Sequence, residues 1–274
     1  MELVSIIIRT CGRPHVLRGA LESIRNQTYK NIEVVIAEDG ENSAQQMLEE
    51  DFADLNIRYV NTGNRKGRTV VGNLALSLAT GEYLNFLDDD DLLFPEHVET
   101  LINVIRQSDN LAAYSIAYES VVKYDTKRNC YKEYKRWIRY RQPFNRTFLT
   151  FNNYIPIQSI LFAKRLYEEL GGFDETMDVL EDWELWVRYS TKTDFQFINK
   201  VTSLYRVPKK KTKRDADFYD AYLSIIEKFK KYDVCMNYYA INRDVDYMLN
   251  YLKTPKWKRF LKKIRNYVFY KNSV

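Results

Sequence analysis

The sequence of 274 residues contains few residues of the kinds that build disulfide scaffolds or zinc centres. Its three cysteines (Cys11, Cys130 and Cys235) are far apart and form no CxxC pair, and its only two histidines are His15 and His97. An odd, scattered set of cysteines is typical of a reducing compartment. With so little histidine, any bound metal should have oxygen ligands.

A long hydrophobic run is also missing. No apolar stretch reaches the length of about 20 residues that crosses a bilayer, and the N-terminus opens on a strand-like run instead of a secretion signal. The 42 Lys and Arg nearly balance the 37 Asp and Glu, and the net charge of +5 is too mild to predict nucleic acid as a partner. We therefore expect a cytoplasmic protein that binds no nucleic acid.

Short apolar runs alternate with amphipathic segments in the first half of the chain. Strands are predicted at 4–8, 32–37, 57–60 and 83–87, with helices between them. This β-α-β order predicts an α/β fold with a mostly parallel sheet and helices on both faces.

The pattern loosens after residue 118. Residues 123–146 are rich in Lys, Arg, Tyr and Trp, and we interpret them as an insertion or strand pair near the substrate. The remaining patterns predict strands at 159–163, 195–198 and 201–205, helices at 165–170 and 182–189, and helical structure from 215 onward.

Four consecutive aspartates, Asp88 to Asp91, follow the fourth predicted strand. Carboxylates this close repel one another unless a cation lies among them. The carboxyl ends of strands in an open parallel sheet are also where ligands bind. The cluster therefore indicates a divalent-metal site that holds a diphosphate. A solvated acidic turn that caps the helix from Pro95 is the alternative, since acidic residues favour a helix start.

Several motifs occur along the chain in a defined order: VSIIIRT at 4–10, QTYKNIEVVIAEDG at 27–40, NRKG at 64–67, GN at 72–73, TGEY at 80–83, the aspartate cluster, GGFDE at 171–175 and LEDWELW at 180–186. This series resembles family 2 glycosyltransferases over residues 3–207. The resemblance implies the GT-A fold, which is Rossmann-like, together with a nucleotide-sugar donor, a divalent cation (Mn²⁺ or Mg²⁺) and inversion at the anomeric carbon.

The resemblance also implies roles for individual residues. Asp39 would bind the pyrimidine base of the donor. In the Asp-x-Asp-Asp pattern, Asp90 would ligate the metal directly, and Asp88 would reach the metal or the ribose through water. Asp91 would orient the turn and cap the helix that follows. The residues expected to contact the donor are Thr10, Arg13, Asp39, Lys66, Arg68, Asn73, Asp88, Asp89 and Arg206.

Simpler roles stay open for several of these residues. Thr10 and Arg13 could serve only the turn after the first strand, and Lys66, Arg68 and Asn73 could belong to a solvated basic loop.

Glu181 and Asp182 form a second carboxylate pair. Inverting transfer needs a base that takes the proton of the acceptor hydroxyl on the far side of the sugar. The resemblance assigns that base to Asp182 and lets Glu181 position either the acceptor or Asp182. The alternative is that both residues only cap a helix beginning at Trp183.

One position departs from the family. Many relatives carry a histidine a few residues after a Tyr-Arg pair, but Tyr205-Arg206 here precedes VPKKKTKR without one. We hypothesise that a lysine from 209–211 contacts the diphosphate instead. A solvated linker is the alternative.

The expected organisation is a catalytic domain at 1–214, with a nucleotide-binding half at 1–118 and an acceptor-binding half at 119–214, followed by a helical extension at 215–274. Residues 247–274 contain no acid, and their apolar side chains share one helical face surrounded by Lys and Arg. Such a helix suits peripheral contact with an anionic membrane, at the inner face of the plasma membrane. A helix docked on the protein is the alternative.

The expected function is transfer of a sugar from a UDP- or dTDP-linked donor to a hydroxyl of a glycan or lipid-linked acceptor in surface polysaccharide or glycoconjugate assembly. A non-catalytic nucleotide-sugar-binding partner in an assembly complex is the alternative. Making sugar nucleotides is disfavoured, because residues 9–14 lack the glycine-rich phosphate loop that this reaction needs.

Overall fold

A mixed α/β sheet forms the centre of the computed structural model, which describes residues 1–177, 179–209, 214–229 and 232. The chain divides into two units, 1–234 and 235–274, and every described residue lies in the first. Helix α8, which we expected to open a C-terminal extension, therefore belongs to the first unit. The predicted basic amphipathic helix at 247–274 lies outside the described residues.

Four parallel strands make up the first half of the sheet, in the order β3-β2-β1-β4. All seven residues of β1 are buried, as the β-branched run predicts for a strand covered on both faces. The elements in chain order are β1 (Val4–Thr10), α1 (Pro14–Arg25), β2 (Ile32–Glu38), α2 (Gln45–Asp51), β3 (Ile57–Asn61), α3 (Arg68–Leu78) and β4 (Tyr83–Asp88).

The sheet continues from β4 in the order β8-β6-β9-β5, and β7 pairs with β6. Strand β8 runs antiparallel to both β4 and β6, whereas β6 and β9 are parallel. The elements of this half are β5 (Leu92–Leu93), α4 (His97–Arg106), β6 (Ala112–Asp125), β7 (Cys130–Ile138), α5 (Arg146–Leu149), a 3₁₀ turn (Ile157–Ser159), β8 (Ile160–Ala163), α6 (Lys164–Leu170), α7 (Glu181–Ser190), β9 (Phe195–Pro208) and α8 (Arg214–Phe229).

Two of the vaguer predictions become definite here. The basic aromatic segment contains a strand pair, in which β7 runs antiparallel to the end of β6. The two short strands predicted at 195–198 and 201–205 are one strand, β9, whose pairing with β6 shifts register between Ser115 and Ala117. The shift takes up the polar residues that separate the two apolar runs in the sequence.

Trp183 and Trp186 are core residues, with relative exposures of 2% and 0%. The ring of Trp183 lies 5.5 Å from that of Tyr222 and 5.4 Å from that of Phe229, measured between centroids. Helix α8 is therefore packed against α7, which carries the Glu-Asp motif at its first turn.

The amino ends of β1, β2 and β4 are joined by a buried carboxylate. Glu33 Oε1 accepts hydrogen bonds from Ser5 Oγ (2.5 Å) and from the amide nitrogens of Thr80 (2.6 Å) and Gly81 (3.0 Å). A Cβ on Gly81 would lie 2.6 Å from the Ser5 nitrogen and 2.8 Å from the Leu3 oxygen. Only glycine fits this turn between α3 and β4.

Candidate active site

Several of the predicted site residues lie together where the parallel strands end. Strands β1 and β4 pair in a register that sets Arg9 beside Asp88, and β1 and β2 pair so that Thr10 lies beside Glu38. Because these strands end at one edge of the sheet, the aspartate cluster and the turn after β1 come together, as expected for a ligand site in an open α/β sheet.

A closed ring of ion pairs connects the aspartate cluster to the Glu-Asp motif. Arg9 donates from Nε and Nη2 to Asp88 Oδ1, at 3.0 and 2.7 Å, and from Nη1 to Glu181 Oε1, at 3.0 Å. Arg68 donates from Nη2 to Asp88 Oδ2 at 3.1 Å, and its Nε lies 2.9 Å from Glu181 Oε1. Two cations and two anions thus neutralise one another, with Arg9 and Glu181 almost fully buried.

Asp89 is held by the turn after β1. Its Oδ2 accepts hydrogen bonds from Thr10 Oγ1 at 2.7 Å and from Arg13 Nε at 3.2 Å. Burial and the charge of Asp90 raise the pKa of Asp89 to about 7, against the lowering effect of Arg13. Thr10 and Arg13 therefore contact the aspartate cluster itself, which places the guanidinium of Arg13, 45% exposed, at the mouth of the site.

Asp90 and Asp91 differ in exposure. The Asp90 carboxylate is 32% exposed and lies 4.0 Å from Arg13 Nη1, whereas Asp91 is buried. Burial, followed by the charge of a neighbouring aspartate, raises the pKa of both carboxyls. Asp91 Oδ1 accepts the amide hydrogen of Arg206 at 2.9 Å.

The expected helix cap by Asp91 is wrong. Helix α4 begins at His97, and its N-cap residue, Glu96, makes no side-chain capping bond. The Asp91 carboxylate instead accepts a hydrogen bond from the Arg206 amide in β9. The Arg206 guanidinium donates to the Asp90 carbonyl and lies 4.4 Å from the Tyr131 ring centroid.

One or two of these carboxylates could hold a divalent cation if substrate phosphates supplied further ligands. Magnesium-type ions are commonly bound through one or two carboxylates together with substrate phosphates. Within the described ranges no group of three or more His, Cys, Asp or Glu side chains could enclose a metal ion. Both oxygens of Asp88 are engaged by arginines, so Asp90 presents the more accessible carboxylate for direct ligation.

Asp39 holds the loop that follows β3. Its Oδ1 accepts the amide hydrogen of Lys66 at 2.7 Å, and its Oδ2 accepts that of Gly67 at 3.3 Å. Gly67 has a φ of 101°, a conformation that favours glycine. The loop therefore lies against the end of β2 and leads into α3, which begins at Arg68.

Glu38, the buried neighbour of Asp39, accepts hydrogen bonds from surrounding protein groups. Burial alone would raise its pKa, but hydrogen bonds from Ser43, Tyr59 and Gly12 lower it below the ordinary value. These bonds tie the turn after β1 to the loop after β2.

Asn73 contacts protein groups with its whole amide. Its Nδ2 donates to the Phe173 carbonyl and to Glu175 Oε1, both at 2.9 Å, and its Oδ1 accepts the Phe173 amide hydrogen at 2.7 Å. A Cβ on Gly172 would lie 2.2 Å from Asn73 Oδ1. Asn73 therefore holds the GGFDE loop (171–175) through three hydrogen bonds.

Asp182 lies in the first turn of α7, next to the ring. Its Oδ2 accepts a hydrogen bond from Asn153 Nδ2 at 3.0 Å, and its Oδ1 accepts the Trp183 amide hydrogen at 2.8 Å. Burial and the charge of Glu181 raise its pKa to about 6. The carboxyl is therefore mainly ionised at neutral pH yet basic enough to accept a proton.

Leu180, the residue before the motif, has a left-handed backbone with a φ of 63°. This conformation is uncommon for a branched apolar residue and costs about 1 kcal/mol or more. It starts α7 abruptly, so that Glu181 and Asp182 both lie in the first turn of the helix.

Sequence reasoning missed two residues of the site. Arg9 carried one usable signal, a charge at the end of an otherwise apolar strand, which must find partners if the strand is buried. Asn153 carried none, because it lies 29 residues before Asp182 in the chain and outside every motif that the resemblance rests on.

Of the lysines at 209–211 named in the diphosphate hypothesis, the two at 210 and 211 lie outside the described residues. Lys209 is described: its amide donates to the Val122 carbonyl at 2.9 Å, and its Nζ lies 3.7 Å from the Tyr134 ring centroid. Over the described ranges, no helix has the length and apolar character needed to cross a membrane.

Comparison with known sequences gives a consistent picture. Residues 5–170 match the family described as Glycosyl transferase family 2. An uncharacterised glycosyltransferase of Rickettsia prowazekii (strain Madrid E) is 25% identical over 241 residues, which are 85% of this chain and 74% of the relative.

Solved structures share the fold. S. aureus TarS matches with a TM-score of 0.67 and 17% identity over 85% of this chain, which is 40% of the TarS chain. TarS 1–349 in complex with UDP matches with a TM-score of 0.66 and 17% identity, over 94% of this chain and 77% of that chain. TarS 1–349 was also solved with UDP-GlcNAc, at a TM-score of 0.65.

A mannosyltransferase from Pyrobaculum calidifontis in complex with GDP-Man and Mn²⁺ matches with a TM-score of 0.54 and 20% identity, over 76% of this chain and 58% of that chain. Together, these likenesses confirm the expected GT-A fold.

Proposed function

The chain belongs to glycosyl transferase family 2, and from this premise we propose that it is an inverting, metal-dependent glycosyltransferase. It moves a sugar from a UDP- or dTDP-linked donor to a hydroxyl of a glycan or lipid-linked acceptor, in surface polysaccharide or glycoconjugate assembly. The binding of UDP and UDP-GlcNAc by TarS supports a uridine donor.

Asp182 acts as the general base in this proposal. It removes the proton from the acceptor hydroxyl, whose oxygen forms the new bond to the anomeric carbon as the bond to the diphosphate breaks. Asn153 orients the carboxylate through its hydrogen bond to Oδ2. Inversion follows because the acceptor oxygen and the leaving diphosphate lie on opposite faces of the sugar.

Cationic groups serve the leaving diphosphate. Arg13 and Arg206 both contact Asp90 and can balance the charge that develops on the diphosphate as its bond to the anomeric carbon breaks. A divalent cation on Asp90, Mn²⁺ or Mg²⁺, would supply Lewis-acid stabilisation of the same charge. The Mn²⁺ complex of the archaeal mannosyltransferase supports this expectation.

The observation that carries the proposal is the ring of Arg9, Asp88, Arg68 and Glu181. The ring joins β1, α3, β4 and α7. It therefore holds Glu181, the neighbour of the proposed base, against Asp88 of the aspartate cluster. A non-catalytic donor-binding protein would have no need to hold a basic carboxylate in register with the diphosphate site.

The test is nucleotide release from a panel of UDP-hexoses, their N-acetyl forms, UDP-glucuronate and dTDP-rhamnose, with Mn²⁺, Mg²⁺ or EDTA. Wild type should hydrolyse or transfer from one donor in a metal-dependent way, and Asp182→Asn should lose this while binding the nucleotide normally. Asp109→Asn, at an exposed position after α4, is the matched control. Donor binding without release by wild type, with every acceptor offered, would favour a non-catalytic binding partner.

The predicted contact with an anionic membrane rests on residues 247–274. It stays a prediction, with a peripheral location at the inner face of the plasma membrane as its form.

A further inference from the structure

One face of the β6–β7 hairpin carries basic and aromatic side chains. Residues in register share a face, so Lys123 lies directly opposite Lys132, Lys135 lies opposite Val121, and Trp137 lies opposite Glu119. We call this surface the lysine face. It consists of Lys123, Lys132, Tyr134, Lys135, Trp137 and Lys209.

The aromatic rings of this face lie among its ammonium groups. Tyr134, at the register shift, has Lys132 Nζ at 5.5 Å and Lys209 Nζ at 3.7 Å from its ring centroid. Lys135 Nζ lies 4.7 Å from the Trp137 centroid. Ammonium groups and π-faces thus alternate along the strand, with Tyr134 42% exposed.

Among the described residues, the acids on the lysine face are Glu119 and Asp125, fewer than its four lysines. Glu119 is buried, and its Oε2 accepts hydrogen bonds from Arg139 at 2.9 Å and Tyr205 Oη at 2.6 Å. Asp125, at the turn, accepts the amide hydrogens of Lys127 and Arg128. Like charges directly opposite each other on paired strands are destabilising, so the Lys123–Lys132 pair lowers the stability of the free hairpin.

The other face of the same strand is different. Glu133 accepts hydrogen bonds from Ser120 and Arg136, and Tyr131 lies beneath Arg206, at the aspartate cluster. Charged side chains on an edge strand can serve to block pairing with another chain. Blocking such pairing would not require positive charge on one face more than on the other. On this hairpin, however, the excess of positive charge is confined to the lysine face.

The lysine face continues to the end of the hairpin. Trp137 pairs with Glu119, which accepts a hydrogen bond from Arg139, and the Arg139 guanidinium lies 5.3 Å from the Tyr140 ring centroid. Burial is the main cause of the raised pKa of Tyr140, and the negative charges of Glu119 and Asp182 act in the same direction. One face of β7 therefore carries Tyr131 at the aspartate cluster, and the other carries the lysines and Trp137.

We propose that the lysine face binds the acceptor, and that the acceptor is an acidic glycan with phosphate or carboxylate groups along its chain. Ammonium groups bind such anions, and the rings of Tyr134 and Trp137 offer apolar surfaces to the sugars between them. The inference rests on the proposed function, since it names the substrate class of that reaction. The alternation of ammonium groups with aromatic rings along one strand favours a glycan over a lipid surface as the occupant.

The experiment measures binding without any donor, using three oligosaccharides of equal length: a hyaluronan oligosaccharide, a phosphorylated maltodextrin and a neutral maltodextrin. Proteins are wild type, the triple variant Lys123→Gln/Lys132→Gln/Lys135→Gln and the control Lys30→Gln/Lys164→Gln/Lys192→Gln, which removes the same charge elsewhere. Vesicles containing phosphatidylglycerol form a fourth ligand, and UDP titration reports the donor site separately.

Wild type and the control should bind an acidic oligosaccharide and not the neutral one, and the triple variant should bind it at least about tenfold more weakly. UDP affinity should stay equal, because Tyr131 and Arg206 are on the opposite face. Trp137→Ala should also weaken oligosaccharide binding although it removes no charge.

Equal affinity for neutral and acidic oligosaccharides, or an unchanged affinity in the triple variant, would overturn the inference. So would lysine-dependent binding to vesicles with none to either acidic oligosaccharide, which would make the surface a membrane contact. If wild type released nucleotide from no donor and still bound acidic glycans through these lysines, the proposed function would fail and the lysine face would stand.

Discussion

Arg9 joins the two carboxylate motifs although it belongs to neither. Its partners are 79 and 172 residues away in the sequence, so no local pattern could reveal them. The motif order predicts Asp88 and Glu181 as site residues, but only the tertiary structure shows that one guanidinium contacts both. The sequence does indicate that Arg9 needs partners, because burying an unpaired charge in a strand costs free energy.

Replacing Arg9 with Met should leave Asp88 and Glu181 paired only through Arg68. Removing one partner of a buried ion pair typically lowers the free energy of unfolding by about 3–5 kcal/mol. We expect a loss of that order in urea unfolding, together with at least about a hundredfold loss in nucleotide release, since the motif and the cluster lose their register. Arg9→Lys should fall between, because an ammonium group lacks the fork that reaches both carboxylates.

The control for this prediction is Arg58→Met on β3, where the side chain is exposed. It should change neither quantity. If Arg9→Met were as stable and as active as the control, the ring would contribute neither to stability nor to turnover.

The pH dependence of turnover should report on Asp182. A general base works when deprotonated, so with a pKa of about 6 the rate should be flat near neutrality and fall about tenfold for each pH unit below 6. The negative charge of Glu181 raises that pKa, so Glu181→Gln should move the acidic limb to lower pH. Rate profiles of nucleotide release measure both, and a limb that stays in place in Glu181→Gln would remove Asp182 as its source.

Strands β1 to β4 could be predicted because each is a compact apolar run and because their alternation with helices has only one common solution. The second half of the sheet was less accessible. Strand β9 contains polar residues in its middle, so the sequence predicts two pieces, and the register shift that unites them is a property of its pairing with β6. The hairpin was predicted only as an insertion or strand pair, because its charged and aromatic residues show no clear period in the sequence.

The turn between α3 and β4 provides a test of the packing of these elements. Gly81→Ala would press a methyl group against the backbone of β1, and a well-packed site of this kind loses about 1–3 kcal/mol of unfolding free energy. Gly19→Ala in α1 is the matched substitution, since its Cβ would meet nothing within 4 Å. We expect that variant to gain about 0.5–1 kcal/mol. Thermal or urea unfolding measures both, and equal effects of the two substitutions would contradict the packing described here.

Over the whole molecule, the net charge of +5 conceals a separation of charge. Four consecutive carboxylates lie at the ends of the parallel strands, and exposed lysines occupy one face of the hairpin. Composition alone could not predict this arrangement, because it depends on which face of β7 each side chain takes.

A divalent cation should stabilise the folded protein when nucleotide is present. At a hundredfold excess over its dissociation constant, a ligand that binds only the native state adds about 2.7 kcal/mol. UDP with Mn²⁺ should therefore raise the unfolding temperature, EDTA should reverse the metal-dependent part, and Asp90→Asn should abolish that part. Asp109→Asn should respond like wild type. A full metal-dependent shift in Asp90→Asn would transfer the cation to another residue.

The ion-pair ring is largely buried and the lysine face is exposed, so added salt should affect the two differently. At about 0.15 M salt, exposed charges are screened beyond roughly 8 Å, whereas buried pairs are screened much less. Added salt should therefore weaken acceptor capture and leave the geometry around Asp182 intact. At high salt, the donor would still be activated but would meet its acceptor less often, so hydrolysis by water would gain on transfer.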